Sequence, residues 1–188
     1  AAPLGVAEVA YAPVVVPGYW SGRLWAQSIE PGPALRDYVN MFFRIPGAAA
    51  TLERSGAAAF VTAVAPGLRD ILVTGKFCEA ARRKQGRGFE YDSVVVDAPP
   101  TGRVHTFLNV TAAVSHVAPP GVVRSHAERV RDVICSTNTR VHLVCTDDDV
   151  VMKETREAVG QLRNLGISAN SAIHNRVAPQ WAKRFAIF

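Results

Sequence analysis

The stretch VVVDAPPTGR occupies residues 94–103. Three β-branched apolar residues run into Asp97, and Ala98, Pro99, Pro100, Thr101 and Gly102 come next. A short apolar run bounded by turn residues predicts a buried strand of a parallel sheet, here over 93–98. The proline pair opposes immediate entry into a helix. Thr101 and Gly102 are therefore expected in a loop with exposed N–H groups. Ligands of open parallel sheets bind beyond the carboxyl ends of the strands, and a carboxylate at that edge is where nucleotide enzymes hold Mg²⁺, directly or through water. The structural alternative for a lone Asp there is a helix cap or a loop anchor, and composition alone leaves both open.

The rest of the chain alternates in the same way. Residues 1–22 lack helical period, and 23–29 (RLWAQSI) form a plausible strand. After the break at Pro31–Gly32–Pro33, Leu35, Tyr38, Val39 and Phe42 fall at helical spacing. Residues 48–63 are Ala-rich and predict a helix, and Pro66 suits the first turn of another, with Leu68, Ile71 and Leu72 on one face. Residues 124–135 predict a helix and 141–145 (VHLVC) a compact buried strand. Val151, Thr155, Val159 and Leu162 mark a further helical face that stops at Gly166, and 167–175 returns to the sheet. Strands separated by helices mean an α/β fold, a mostly parallel sheet with helices on both faces. Asp97, the end of VHLVC and Asn175 are expected at its ligand-binding edge.

The totals exclude some classes. At 188 residues, 48% hydrophobic and 20% charged, the chain is long and apolar enough for a core. No apolar run reaches the ~18 residues of a membrane-spanning helix. Cys78, Cys135 and Cys145 are odd in number and form no C-x-x-C pair, which predicts reduced thiols and a cytoplasmic setting. Much of the +5 net charge lies in ARRKQGRG, residues 81–88. This reads as a phosphate or nucleic-acid patch or as a solvated helix end; no aromatic residues interleave it for base stacking, so the nucleic-acid signal is not strong.

Here the chain resembles a known family. YDSVVVDAPPTGRVHTFL (91–108) is similar to the switch II segment of the ArsA-type, anion-transporting and tail-anchored-targeting P-loop ATPases, D-x-V-V-x-D-T-A-P-T-G-H, with Ala98–Pro99–Pro100 in place of Thr-Ala-Pro and Arg103 in place of His. RLWAQSIEPGPALRDYVNMF (23–42) resembles the family's strand, E-P and amphipathic helix. MKETREAVGQLRNLGISANSAIHNRVAP (152–179) resembles its E-T-x-R helix, L-G-I turn and final strand end. APGLRDILVTGK (65–76) looks like the actinobacterial members that work beside a second ArsA-like subunit.

The resemblance implies Mg²⁺-dependent ATP hydrolysis coupled to the opening and closing of a homodimer or heterodimer. Asp97 would hold Mg²⁺, Thr101 and Gly102 would sense the γ-phosphate, and Asn175 with Arg176 would bind the nucleotide. The family's C-x-x-C is absent, as are cysteines matching an arsenite site. The chain contains no G-x-x-x-x-G-K-[S/T]. DILVTGKF (70–77) offers Gly75–Lys76, but Asp70 stands at the first glycine and Phe77 at the Mg²⁺ hydroxyl. In the family the phosphate loop lies ahead of the region that Ala1 begins, so residues 1–188 are expected to be a single partial domain, with 1–22 as lead-in and 23–188 as α/β core, incomplete at the N-terminus and at the C-terminus.

Other chemistries lack their patterns. His105, His116, His126, His142 and His174 show no zinc spacing. Asp147, Asp148 and Asp149 precede a helix, where carboxylates are favoured structurally. No G-x-S-x-G elbow occurs. Two alternatives stay open: a non-catalytic partner of a paralogous ATPase, and a partition-ATPase-like protein that binds nucleic acid or a membrane surface through the basic loop.

Overall fold

The computed structural model describes residues 11–43, 54, 66–117 and 121–177. The helix expected over 48–63 lies outside the described residues, apart from helical Arg54. The chain divides into two compact units, one through Lys76 and the other from Phe77.

In the first unit, β1 (Val14–Val15) pairs antiparallel with β2 (Trp25–Ala26). A 3₁₀ turn over Trp20–Gly22 lies between them. The strand expected over 23–29 is only two residues long. The preceding turn uses positive φ at Gly18, Trp20, Ser21 and Gly22, so extended pairing cannot begin earlier. Helix α1 (Pro31–Phe43) starts at Pro31 itself, where a missing N–H costs nothing. Asp37 ties this unit together. Its Oδ2 accepts from Tyr11 Oη at 2.6 Å and from Lys76 Nζ at 2.7 Å, and Lys76 also lies over the Tyr11 ring, 5.4 Å from its centre. Partial burial opposes ionisation of Asp37, but the bonds from Lys76 and Tyr11 and the charges of Lys76 and Arg36 outweigh it and hold the carboxyl below its usual range.

Helix α2 (Pro66–Arg82) carries the chain into the second unit. There a short hairpin pairs β3 (Lys84–Gln85) with β4 (Gly88–Phe89). Helices α3 (Thr101–Val117) and α4 (Val122–Ile134) come next, then β5 (Val141–Cys145), α5 (Asp149–Asn164) and β6 (Ala169–His174). Strands β5 and β6 are parallel, with Leu143 opposite Ala172, Val144 opposite Ile173 and Cys145 opposite His174. Helix α5 is their crossover and packs on both, and α3 packs against α4 and α5.

The boundaries of α5 are set by its sequence. Asp148 is the N-cap, its Oδ1 accepting from the N–H groups of Val150 at 2.9 Å and Val151 at 3.2 Å. At the other end Gly166 takes φ 75°. The Ile167 N–H then returns to Leu162 O and the Gly166 N–H to Arg163 O, the paired bonds of a Schellman end. That closure drives Ile167 and Leu162 into one core with Cys78, Val104, Val130, Ile134, Leu143 and Ala158.

Mixed helix and strand with a small parallel sheet is the observed class. It departs from the expectation in two places. Residues 93–98 form no strand: Val95 is 94% exposed, and no ladder bonds join the segment to another. A valine run is buried as a central strand only where neighbours meet its N–H and C=O groups on both sides, and the described residues offer none. Second, the sheet is open on one face, where the cross-strand neighbours Val144 and Ile173 remain about half exposed, at 52% and 48%. Covering that face requires another crossover, and β5–α5–β6 is the one such unit among the described residues.

Two buried groups report the polarity of the core. Desolvation pushes the Cys78 thiol up to about 12 despite nearby Arg82, and its Sγ lies 3.9 Å from Val130 O. Burial pushes the His126 imidazole down to about 4, aided by the charges of Arg129 and Arg82.

Leu162, fully buried, and Val95 give opposite expectations. Leu162→Ala should cost ~2–5 kcal/mol of unfolding free energy, and Val95→Ser less than about 0.5 kcal/mol, read from urea midpoints. Stability should also fall on acidification. Because the His126 pKa in the fold lies below its unfolded value of 6.5, the unfolded chain takes up the proton first. The contribution is complete above pH 6.5 and is lost as pH falls toward 4. Melting curves of His126→Leu across that range should have a shallower pH slope than those of the parent chain.

Candidate functional site

The carboxyl edge of β5 and β6 gathers the polar residues. The Asn175 N–H donates to Cys145 O at 2.7 Å, so the chain leaves both strands at one level. Asn175 Oδ1 then accepts from the Arg176 N–H at 2.9 Å. Arg176 itself takes φ 54°, a left-handed conformation uncommon for a side chain of its size. With Oδ1 engaged, the Asn175 amide nitrogen has no protein partner among the described residues. Both side chains are exposed.

Asp147, in the loop after β5, lies 3.2 Å through Oδ1 from His174 Nδ1 at the end of β6. Reading the sequence missed this pair. The acidic triplet looked like one helix-start signal, yet only Asp148 caps, Asp149 opens the first turn, and Asp147 turns to the histidine.

Asp97 and its successors form the second group. Asp97 is exposed and makes no ion pair among the described residues. It comes after the unpaired valines rather than ending a strand. Thr101 and Gly102 are not in a loop but are the first two residues of α3. The proline pair explains the difference: the ring fixes φ near −65°, which suits helix entry, and the absent N–H would have been unbonded there anyway. The Arg103 N–H donates to Pro100 O at 2.8 Å and closes the first turn. The amides of Thr101 and Gly102 are accordingly among those a helix start leaves without an intrahelical acceptor. A Cβ on Gly102 would meet nothing within 4 Å.

The structure thus keeps Asp97, Thr101 and Gly102 contiguous and bonds Asn175 to Arg176, while no hydrogen bond or ion pair joins the two groups. Among the described residues there is no cluster of three or more His, Cys, Asp or Glu side chains able to hold a metal ion. Mg²⁺ is commonly held by one or two carboxylates plus substrate phosphates, so Asp97 fits only a site that phosphates complete. Gly75 and Lys76 are mid-helix in α2, and Lys76 is bound to Asp37, which removes them as a phosphate loop.

No family model matches the chain. It is 40% identical over 159 residues to "ATPase BagA" of Mycobacterium tuberculosis (strain H37Rv) and to "Putative ATPase Mb3704" of Mycobacterium bovis. Each match covers 84% of this chain and 47% of the relative, so the chain spans about half the length of these curated relatives. No helix among the described residues is long and apolar enough to cross a membrane.

Gly102→Ala should leave the melting temperature unchanged or slightly raised. The site is open, its φ is ordinary, and alanine is the better helix former by up to ~1 kcal/mol. A drop of several degrees on thermal scanning would mean that the backbone there needs glycine.

Proposed function

We propose that the chain is the switch II and base-binding part of an ArsA-type ATPase, acting on ATP with Mg²⁺ within a dimer of ArsA-like subunits. What carries this reading is order along the chain. The Asp97–Gly102 segment runs into the start of α3, the E-T-x-R helix α5 ends in its L-G-I turn, and β6 ends just before Asn175, all in a chain 40% identical over 159 residues to proteins named as ATPases. Asp97, exposed and without an ion pair among the described residues, is free to accept a hydrogen bond from metal-bound water. Bound Mg²⁺ would neutralise charge on the transferred phosphoryl group. The α3 amides of Thr101 and Gly102 donate toward a terminal phosphate, with the helix start favouring the anion. Gly102 keeps that approach open because it has no side chain.

Asn175 reads the base. Its Oδ1 already accepts from Arg176, so its NH₂ is the group left to donate to a ring nitrogen. Arg176, held at the same edge, supplies positive charge beside the nucleotide. The corresponding fold class is the ArsA-like P-loop type, with 93–98 as one of its strands when neighbours flank it, in a single domain of which residues 1–188 are part.

Hydrolysis needs more than these groups. Phosphoryl transfer depends on positioning and on charge stabilisation by a phosphate loop and its lysine, and residues 1–188 hold no such motif. Losing one preorganised donor typically costs about 10²–10³ in rate. The 188-residue chain alone should therefore release no phosphate above background. A longer chain that carries a phosphate loop ahead of it should turn over, and Asn175→Ala in that protein should raise the KM for ATP more than it lowers kcat. Equal turnover by the short and long chains, or an unchanged KM, would overturn the reading.

A further inference from the structure

The hairpin at the end of α2 is not needed by the nucleotide site, and its surface is unusual. Gly86, with φ 63°, opens a two-residue turn, and a glycine at the first turn position is what one of the primed hairpin turns requires. Lys84 and Phe89 are cross-strand partners. Directly opposed residues share a face, with Cβ atoms ~5 Å apart, so an ammonium and a phenyl ring stand side by side. Both are exposed, Phe89 to 63%. Arg87, in the turn, is exposed as well.

The base of this hairpin is pinned. The Glu90 N–H donates to Arg83 O at 2.9 Å. The Arg83 guanidinium binds Glu79 at 2.9 and 3.0 Å and Glu90 at 3.3 Å. Arg83 thereby occupies the carboxylates on both flanks. Lys84 and Arg87 have no carboxylate partner among the described residues, and exposed Asp92 makes no ion pair there.

We infer that the Lys84–Phe89 hairpin docks on an anionic lipid surface, with Lys84 and Arg87 at the headgroup phosphates and the Phe89 ring in the headgroup–acyl boundary. A ring beside cations is the arrangement that interfacial anchors use. Nucleic acid fits less well. Two residues per strand span only ~7 Å, whereas single-strand binding modules track roughly 4–16 nucleotides, and Phe89 is the only aromatic ring on the hairpin.

The test is co-sedimentation of the 188-residue chain with vesicles of phosphatidylcholine alone and of phosphatidylcholine mixed with phosphatidylglycerol. Binding should require the anionic lipid and weaken as salt rises. Each basic residue near such a surface contributes about fivefold in partitioning, so Lys84→Glu with Arg87→Glu should lower it at least 20-fold or so. Phe89→Ser should weaken it at all salt concentrations. Arg140→Glu, a single charge reversal at an exposed site outside the hairpin, should change it about twofold or less. All four positions are exposed, and unchanged melting curves would verify folding. Equal binding by the parent chain and the double variant, or equal binding to both vesicle types, would overturn the inference. So would hairpin-dependent retention on DNA without lipid binding, which would assign the surface to nucleic acid.

Discussion

A parallel strand has backbone groups to satisfy along both edges, and among the described residues β5 and β6 pair only with each other. Everything firm in the second unit is arranged around that one pairing. Its register places Leu143 and Cys145 inward. The crossover helix α5 must then lie over them, and its Schellman end turns Ile167 back onto Leu162. Helix α3 packs on α5 and α4 on α3, so the position of the α3 start, and with it of Thr101 and Gly102, is inherited from the strand pair. The Asn175 N–H bonded to Cys145 O belongs to the same pairing. Both candidate groups therefore depend on the strand pair, Asn175 through a backbone bond and the α3 start through helix packing.

What could be read from sequence was what local rules determine. VHLVC is a five-residue stretch with four apolar residues, and the strand has those bounds. Asp148 and Gly166 bracket α5 because a cap and a left-handed stop are chemical requirements of a helix. VVVDA failed for the opposite reason. Its valines report only that the segment is extended and apolar; whether it becomes a strand depends on neighbours elsewhere in the chain, which no local pattern contains. The proline pair misled through one ambiguity. Proline ends a helix it would have to continue, yet it begins one well, and the two cases differ only in whether the residues after the ring turn helical. Near the site, the position of Asn175 at a strand end was legible. The His174–Asp147 pair was not, since it joins residues 27 apart across a crossover.

Charge is distributed according to the same division. Where a carboxylate is enclosed, it is matched: Asp37 by Lys76 and Tyr11, Glu79 and Glu90 by Arg83. Where the nucleotide reading needs a free group, the group is unmatched among the described residues, as with Asp97 and the Asn175 amide nitrogen. Exposed ion pairs contribute little, typically under ~1 kcal/mol, so Arg124–Glu128 and Lys153–Glu157 add little beyond helix propensity. Arg83 is different because it bridges two elements, and its two carboxylates fix where the hairpin leaves α2.

Exposure of the valine run bears directly on Asp97. A strand held on both sides would fix the carboxylate to within the tolerance that phosphoryl transfer demands, about 0.5 Å. A segment with Val95 almost wholly in water has no ladder to impose that tolerance. Both prolines lie between Asp97 and Thr101 and restrict the backbone on the α3 side of Asp97, whereas the valine side has no ladder bonds. On the proposed reading, pairing of 93–98 between flanking strands would also position Asp97. Burial of the valines, at about 25 cal/mol per Å² of apolar surface, would supply the free energy that holds the carboxylate in place.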